Sequence, residues 1–197
     1  MFDYIGEKIR TEAFSRLTWI SRAGGFTEMV EVNDGGTLKR FPGAKPQYQM
    51  PCEPGEYLNM SPDGSEICIA FTDSAGKIQV DERHRIFDKV SAFFRVVVWY
   101  DENRIAYGGA TDKAHQMAKE IIAAVRGVNM NNTGLQGCRV SFDSVDFDPA
   151  KVWAGYGFKA DDALFMRPYR TFAVSFRLRA LLATGCADAS IQVQGVC

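Results

Sequence analysis

The sequence predicts an α+β domain in which a mostly antiparallel sheet packs against two amphipathic helices. The prediction depends on the second half of the chain, which follows the order strand, helix, strand, strand. Residues 93–100 are predicted to form a buried strand, residues 112–126 an amphipathic helix, and residues 138–147 and 169–182 two further strands. This layout indicates a small α+β assembly module and not an enzyme.

The length and composition of the chain favour a single domain. With 197 residues, the chain is long enough to bury a hydrophobic core. We expect one α+β domain over residues 1–183, with a loop-rich β-hairpin insertion at 33–66 and a C-terminal tail at 184–197. The formal net charge of -1 gives no basic footprint, so specific nucleic-acid binding is disfavoured as the main activity.

The sequence shows neither a secretion signal nor a membrane span. The first residues, Met1–Lys8, lack a basic stretch followed by an apolar run. No apolar stretch approaches the roughly 20 residues that are needed to cross a bilayer. We therefore expect a soluble protein that is intracellular when it is made and has no membrane partner.

The spacing of cysteines and histidines predicts free thiols and no metal or cofactor. The five cysteines include no C-x-x-C pair. A tetrahedral zinc site needs close ligand pairs, and His84 and His115 are isolated from each other and from the cysteines. We interpret His84 as a solvated residue and His115 as a residue within the helix, at the boundary of its apolar stripe.

No motif for nucleotide binding or nucleophilic catalysis is present. The glycine pairs lack the spacing of a phosphate-binding loop, and no G-x-S-x-G nucleophile elbow occurs. Acidic residues cluster late in the chain, but they lack the glycine turn and closing glutamate of a calcium loop. We interpret them as exposed carboxylates of strands and loops: Asp143, Asp146, Asp148, Asp161 and Asp162.

The N-terminal half is predicted to contain a helix and two hairpins. Apolar residues recur at the helical period over Phe2–Ile20, and Gly24-Gly25 is expected to end this helix. The helix either packs on the core of the chain or docks on a neighbouring subunit. Turn signals predict two hairpins, Phe26–Val32 with Thr37–Phe41 and Ile67–Phe71 with Lys77–Val80.

The elements of the second half carry more specific signals. The strand at 93–100 is apolar on both sides, apart from Arg95, and is expected to be covered on both faces. The helix at 112–126 is expected to begin at Thr111 as its N-cap. A change of alternation at Asp143-Ser144 predicts a β-bulge. The last strand alternates strictly, with Arg177 and Arg179 on its polar face and Phe172, Val174, Phe176, Leu178 and Ala180 on its apolar face.

An unusual aromatic loop, Pro149–Phe158, connects the last two strands. It contains Trp153, Tyr156 and Phe158, whereas loops are normally polar and exposed. Such a loop either folds onto its own core or is buried against a partner. In the second case Trp153 and Tyr156 would be candidates for interface anchors.

The order of these elements resembles that of the tail terminator (tail completion) proteins of long-tailed bacteriophages. Members of this family open with an amphipathic helix, continue with a hairpin region and a central strand, and close with a helix and two antiparallel strands. The closing segment Tyr169–Phe176 is similar to the ending of such proteins. The resemblance covers about two-thirds of the chain, through Phe2–Ile20, Ile67–Val80, Phe93–Tyr100, Asp112–Arg126, Cys138–Phe147 and Tyr169–Leu182.

The resemblance implies a structural virion protein without catalytic residues. Family members form a ring, commonly of six subunits, that caps the tail tube and joins it to the head-tail connector. The implied partners are other copies of the chain, the tail tube protein and the connector protein, and the implied location is the virion tail or neck, after assembly in the host cytoplasm.

A closed ring needs two different patches on one chain. The candidate patches are the aromatic loop, through Trp153, Tyr156 and Phe158, and the arginine face, through Arg177 and Arg179. Asp143 and Asp146 are candidates for the lumen of the ring, where negative charge would keep passing DNA from sticking.

Three other functions are compatible with the sequence. The chain could be another head-tail connector or a minor tail protein, because such proteins share small α+β folds. It could be a small-ligand-binding domain whose pocket is lined by Trp99 or Trp153. It could also be an enzyme with Cys138 or Cys68 as its nucleophile, although the acid-base groups that such an enzyme needs are missing from the sequence.

Overall fold

The computed structural model describes residues 1–45, 57–107, 112–132, 134–156 and 168–183. The helical elements are α1 (Phe2–Lys8), a π-helix (Ile9–Ala13), a 3-10 turn (Phe14–Arg16), α2 (Lys113–Arg126), α3 (Pro149–Val152) and a second 3-10 turn (Ala154–Tyr156). The strands are β1 (Arg22–Asp34), β2 (Thr37–Ala44), β3 (Leu58–Asn59), β4 (Cys68–Ser74), β5 (Gln79–Arg83), β6 (Phe87–Asp101), β7 (Leu135–Asp146) and β8 (Tyr169–Ala183).

The strands form one mixed sheet that is mostly antiparallel. Their order is β3-β2-β1-β4-β6-β8-β7, and β5 pairs with β6 beside β4. Strands β1 and β4 are parallel, and the other pairs of described strands are antiparallel. A mostly antiparallel sheet with a few helices is an α+β architecture, as the sequence predicts.

Strand β6 is the centre of the sheet. It pairs with β8 along its whole length, from Phe87↔Ala183 to Asp101↔Tyr169. Val96, Val97 and Val98 have no exposed surface, because the strand is covered on both faces at this point. The predicted central strand is therefore confirmed, and it begins earlier than expected, at Phe87.

Helix α2 covers the first face of the sheet. Its buried stripe, which includes Met117, Ile121 and Val125, packs with apolar side chains of β6 and β8 in a first core. Within this core the rings of Phe94 and Phe176 stack with their centroids 5.4 Å apart. Burial of each side chain of this size stabilises the fold by about 1.5–3 kcal/mol.

A side-chain cap fixes the start of α2. The Oδ1 atom of Asp112 accepts a hydrogen bond from the main-chain nitrogen of His115 at 3.1 Å. Asp112 is thus the N-cap, and Thr111, the cap that the sequence predicts, lies outside the described residues. The helix ends at Arg126, as predicted.

The prediction of one continuous N-terminal helix is wrong. The α-helix is regular over Phe2–Lys8 and continues as π and 3-10 turns. The hydroxyls of Thr11 and Ser15 donate to main-chain oxygens four residues earlier, at 2.8 and 2.7 Å, and such bonds bend and weaken a helix. The chain becomes extended at Leu17, so Gly24-Gly25 belong to β1 and do not end the helix.

Helix α1 packs on the core of its own chain. Its buried Ile5 and the following Ile9 belong to the first core. The ring of Phe2 stacks on that of Phe26 in β1 with 5.4 Å between centroids. Of the two roles expected for this segment, packing within the chain is the one that the structure shows.

One of the two predicted hairpins has the expected pairing. Strands β1 and β2 pair up to Asp34↔Thr37, and the Oδ1 atom of Asn33 accepts a hydrogen bond from Gly36 N at 2.9 Å. Gly35 and Gly36 have φ of 58° and 89°, which only glycine adopts at low cost. Residues 46–56 of the predicted insertion and the tail at 184–197 lie outside the described residues.

The second predicted hairpin is wrong. Strands β4 and β5 do not pair with each other in the described residues, because each pairs with a different stretch of β6. Strand β4 pairs with residues 94–100 of β6, and β5 pairs with residues 88–91. Strand β5 instead forms a hairpin with the start of β6.

The predicted bulge in β7 is confirmed. Phe142 pairs with Phe176 and Ser144 pairs with Ser175, so Asp143 is the extra residue. A second register shift lies between Gln136 and Arg139.

None of the described helices has the length and apolar composition that a membrane span requires.

We expect Gly6→Ala to destabilise the fold, because α1 lies directly against β1 at this residue. An added Cβ would clash with the main-chain nitrogen of Phe26 and would lie 2.9 Å from its Cα. The expected loss is about 1–3 kcal/mol in the free energy of unfolding, measured by urea denaturation.

The control is Gly76→Ala, where a Cβ meets no atom within 4 Å. Equal stability of the two variants would contradict the packing of α1 on β1.

Candidate interaction surface

The aromatic loop closes over part of the second face of the sheet. Trp153 and Tyr156 are 1% and 3% exposed. The Trp153 ring packs against those of Trp99 and Phe71, with centroids 4.8 and 6.3 Å away. Together they form a second core whose other buried members are Ala44, Met60, Ile69, Val97, Val152 and Ala173.

Polar contacts hold both ends of the aromatic loop on the sheet. Arg95 of β6 pairs with Asp73 of β4 through two bonds, Nε to Oδ1 at 2.9 Å and Nη2 to Oδ2 at 2.5 Å. The Nη1 atom of Arg95 also donates to the main-chain oxygen of Lys151 at 3.4 Å. At the other end, the hydroxyl oxygens of Tyr156 and Thr27 lie 3.0 Å apart. The ion pair therefore connects the sheet to the loop.

The protonation of this network follows from its burial. Burial raises the pKa of Asp73, and hydrogen bonds from Arg95 and Tyr156 oppose that shift. Burial, and then the negative charge of Asp73, raise the pKa of Tyr156 well above its usual value. The Tyr156 phenol thus stays protonated and can donate to the carboxylate. Removal of either member of a buried ion pair costs about 3–5 kcal/mol, since the other charge is left uncompensated.

The burial of the aromatic loop decides between its two expected roles. The loop folds onto the core of its own chain, so Trp153 and Tyr156 are not exposed interface anchors. Phe158, the third candidate, lies outside the described residues. Trp99 and Trp153 pack against each other, so they do not line the ligand pocket that the ligand-binding hypothesis places there.

Beyond the described part of the aromatic loop, the second face carries arginines. Arg177 and Arg179 lie on this face of β8, and the register places Arg139 of β7 opposite Arg179 and Phe93 of β6 opposite Arg177. Side chains at paired positions point to the same side of a sheet. Arg139 and Arg179 are exposed, and Arg177 is half-buried. We call Arg139, Arg177 and Arg179 the arginine cluster.

Strand β6, which lies next to β8 in the sheet, holds the side chain of Arg177 in place. Its Nη2 atom donates to the Oγ of Ser91 at 3.2 Å, and its guanidinium carbon lies 5.2 Å from the centre of the Phe93 ring. Ser91 in turn donates to Asp81 at 2.5 Å. The Nε atom of Arg177 is buried and has no hydrogen-bond partner among the described residues.

The two predicted lumen residues lie on the edge strand β7. Asp143 is exposed at the bulge, and Asp146 is half-buried with a carboxylate oxygen 3.8 Å from the Nζ of Lys151. Strand β7 is the last in the sheet order, so its outer edge pairs with no strand that the structure describes. A bulge and charged side chains are features that protect an edge strand from uncontrolled pairing.

A second exposed feature is the hairpin of β5 with the start of β6. Every residue of β5 is exposed, and Ile78, Val80 and Ile86 are 40%, 46% and 77% exposed. Val80 pairs with Val90, a member of the first core, so Val80 lies on the first face of the sheet. We call Ile78, Val80 and Ile86 the apolar hairpin. Contiguous exposed apolar patches mark interaction sites, so these three residues of one hairpin are a candidate site.

A polar cleft of about 470 Å³ lies at the start of α2. Its lining includes Arg170 and Glu102, which form an ion pair at 2.6 Å. It also includes Lys113, whose Nζ donates to the main-chain oxygens of Glu102 and Ile105 at 3.0 Å each. These charged groups already have partners within the chain, so they do not identify a charged ligand.

Neither described cysteine has the surroundings of a nucleophile. Burial raises the pKa of the Cys68 thiol, and it also raises that of Cys138, which is half-buried. Reactive cysteines normally have a lowered pKa. Among the residues that the structure describes, no group of three or more His, Cys, Asp or Glu side chains is placed to hold a metal ion.

Sequence reasoning missed Arg139 and the apolar hairpin. Arg139 joins the other two arginines through cross-strand register, and the shift between Gln136 and Arg139 hides that register in the sequence. For the apolar hairpin a signal existed, since Ile86 stands within a strongly charged stretch.

Comparison of the chain with protein-family models, curated proteins and solved structures gives no match. The functional argument therefore starts from the two exposed features, the arginine cluster and the apolar hairpin.

Trp153→Ala is expected to reduce the free energy of unfolding by about 3–5 kcal/mol, because it leaves a cavity in the second core. The control is Lys151→Ala on the same short helix, whose side chain is 67% exposed. Urea denaturation followed by far-UV circular dichroism measures both. A Trp153→Ala chain as stable as Lys151→Ala, but altered in self-association, would identify Trp153 as an interface anchor and contradict this account.

Cys68 is expected to resist alkylation in the folded chain. Its raised pKa keeps the thiolate population low, and its side chain is buried. Iodoacetamide labelling at neutral pH, read by peptide mass spectrometry, should modify Cys68 only after denaturation and Cys138 more slowly than an unfolded thiol. Rapid labelling of either folded residue would revive the nucleophile hypothesis.

Proposed function

We propose that this chain is a structural virion protein of the tail terminator type, which closes into a ring, caps the tail tube and joins it to the head-tail connector. Its partners in this proposal are other copies of itself, commonly six in a ring, with the tube protein on one side and the connector protein on the other.

The observation that carries the proposal is the presence of two unlike exposed surfaces on opposite faces of one sheet. Val80 of the apolar hairpin lies on the first face, and the arginine cluster lies on the second. A ring needs a head-to-tail contact between two different patches, whereas a symmetric dimer uses one patch twice. The two unlike surfaces of this chain are the kind of patches that a head-to-tail contact in a ring needs.

The location of these surfaces also supports assembly. Strands β6 and β8 pair along their whole length, so the apolar hairpin is attached to the central strand of the sheet. Ser91 of β6 pairs with Arg179 of β8 on one side and with Gln79 of β5 on the other. The two surfaces are therefore joined through a rigid part of the fold, and rigid elements fix the angle between neighbouring subunits.

The proposal revises the subunit contacts that the sequence predicted. The apolar hairpin takes the place of Trp153 and Tyr156, which are buried, and Arg177 and Arg179 keep their role. Asp143 remains a candidate for the lumen because its carboxylate is exposed, whereas the charge of Asp146 is partly offset by Lys151.

The test of this proposal is the mass of the protein in solution over a range of concentrations. We expect light scattering after size exclusion to give a species of about six subunits, seen as closed rings in negative-stain images. Ile86→Asp places a charge in the apolar hairpin and should shift the protein toward the monomer. A wild-type chain that stays monomeric, or forms only a symmetric dimer, would refute the proposal.

The matched control is Leu38→Asp, which changes an exposed apolar residue on the β1–β2 hairpin, away from both surfaces. Leu38 is 56% exposed, compared with 77% for Ile86. We expect Leu38→Asp to keep the mass of the wild type. If both variants dissociate equally, a general gain of negative charge explains the effect and the apolar hairpin is not the contact.

A further inference from the structure

We infer that the arginine cluster is a docking surface for an acidic segment of a partner protein, which lies extended across the open part of the second face. The inference concerns the chemistry of one surface. Because the proposed ring uses the same arginines as a subunit contact, docking is tested both on the assembled protein and on a variant that does not assemble. It rests on the opposed charges within the cluster, on the missing ion pairs of its arginines, and on its spacing.

The cluster places like charges in direct opposition. Arg139 of β7 and Arg179 of β8 are cross-strand partners, and Arg177 lies two residues further along the same face. Like charges at directly opposite positions of a sheet destabilise it. An anion between the two guanidinium groups would turn this repulsion into two attractive contacts, and local costs of this kind are expected at functional sites.

The arginines of the cluster lack the direct ion pairs that five other described arginines make. The side chains of Arg139 and Arg179 form no ion pair with any residue in the described part of the chain, and Arg177 reaches Asp81 only through Ser91. Elsewhere, arginines pair directly with carboxylates, as in Arg10–Glu7, Arg22–Glu66, Arg40–Glu31, Arg95–Asp73 and Arg170–Glu102. The charge of the cluster is therefore left for a partner to balance.

The spacing of the cluster fits an extended peptide. Arg177 and Arg179 are two residues apart on one strand, which corresponds to about 6.7 Å. Alternate side chains of an extended segment have the same spacing, so acidic residues at every second position would each meet one arginine. Arg139 lies one strand away, about 4.8 Å across the sheet, where it can share a carboxylate with Arg179. Guanidinium groups bind carboxylates with two parallel hydrogen bonds.

The surroundings favour a short acidic segment over nucleic acid. Asp81 lies next to Ser91 beneath the cluster, and Asp143 is exposed at the bulge of β7. These carboxylates confine the positive charge to a narrow surface, which suits an extended segment with a few separated carboxylates better than a continuous phosphate backbone. The ring of Phe93 is covered by the Arg177 guanidinium, so it is not free to stack on a base. The net charge of -1 also gives no wide basic surface.

The test uses a fluorescein-labelled peptide in which glutamate and threonine alternate, and fluorescence anisotropy measures its binding to the full chain. We expect Arg139→Ala and Arg179→Ala each to weaken binding roughly tenfold, because each removes charge-assisted hydrogen bonds. Arg179→Lys keeps the charge but loses the planar fork, so it should weaken binding less than Arg179→Ala. The control is Arg126→Ala, an exposed arginine at the end of α2, which should bind like the wild type.

Thermal unfolding of the same variants distinguishes docking from a structural role. Arg139→Thr removes the opposed charge and should unfold at or above the wild-type temperature while binding the peptide weakly. Variants of Arg139 or Arg179 that unfold at a clearly lower temperature would overturn the inference. So would equal peptide binding by all variants, or no binding by either the wild type or Ile86→Asp. An oligothymidine that displaces the labelled peptide at lower concentration than the unlabelled peptide would assign the surface to nucleic acid.

The peptide is tested on the wild type and on Ile86→Asp side by side, which separates docking from ring formation. Binding by both chains supports docking. Binding by Ile86→Asp alone also supports it, because the proposed ring contact and the peptide would then compete for the same arginines. Rings without peptide binding by either chain would reject docking and leave the proposed function standing. Binding by the wild type alone would contradict the inference, because the arginine cluster is intact in both chains.

Discussion

The requirement that the central strand be covered on both faces organises this molecule. Val96–Tyr100 of β6 are buried from both sides. The helices cover the first face through the first core, whereas none of the longer helices that the structure describes covers the second face at this height. The aromatic loop provides the cover instead, with Trp153 inserted against Trp99 and Phe71. The described part of the loop is short and covers the second face near this end of β6, whereas Arg139 and Arg179, further along the sheet, are exposed.

The polar half of the second face follows from the same constraint. Where the aromatic loop ends, the side chains of β8 change from Ala173 to Ser175, Arg177 and Arg179. Arg95 lies at the border, where it pairs with the buried Asp73 and donates to the main-chain oxygen of Lys151 in the loop. A face that needs no cover can carry charge, and a face that carries unpaired like charges gains stability when an anionic partner arrives. The buried part and the charged part of the second face thus follow from one division of the sheet.

Sequence patterns predicted the elements whose signal is local. The alternation of β8, the apolar run of β6, the bulge at Asp143 and the stripe of α2 each depend on nearby residues and were identified correctly. Contacts between distant segments of the chain were not predicted correctly. The pairing of β4 and β5 with successive parts of β6, and the approach of Arg139 to Arg179, depend on register. The N-terminal helix breaks up because Thr11 and Ser15 compete for its main-chain oxygens, an effect that hydrophobic periodicity does not record. The burial of Trp153 could not be predicted from sequence, because it depends on which part of the sheet the other elements leave uncovered.

The division of the second face is tested most directly by hydroxyl-radical footprinting of the wild-type chain at low and high concentration. We expect Trp153 and Tyr156 to be protected at both concentrations, because they belong to the second core of each chain. Ile86 should be oxidised at low concentration and become protected as the protein assembles. Oxidation of Trp153 at low concentration, followed by protection on assembly, would contradict the account, since it would show that a partner and not the chain itself covers the aromatic loop.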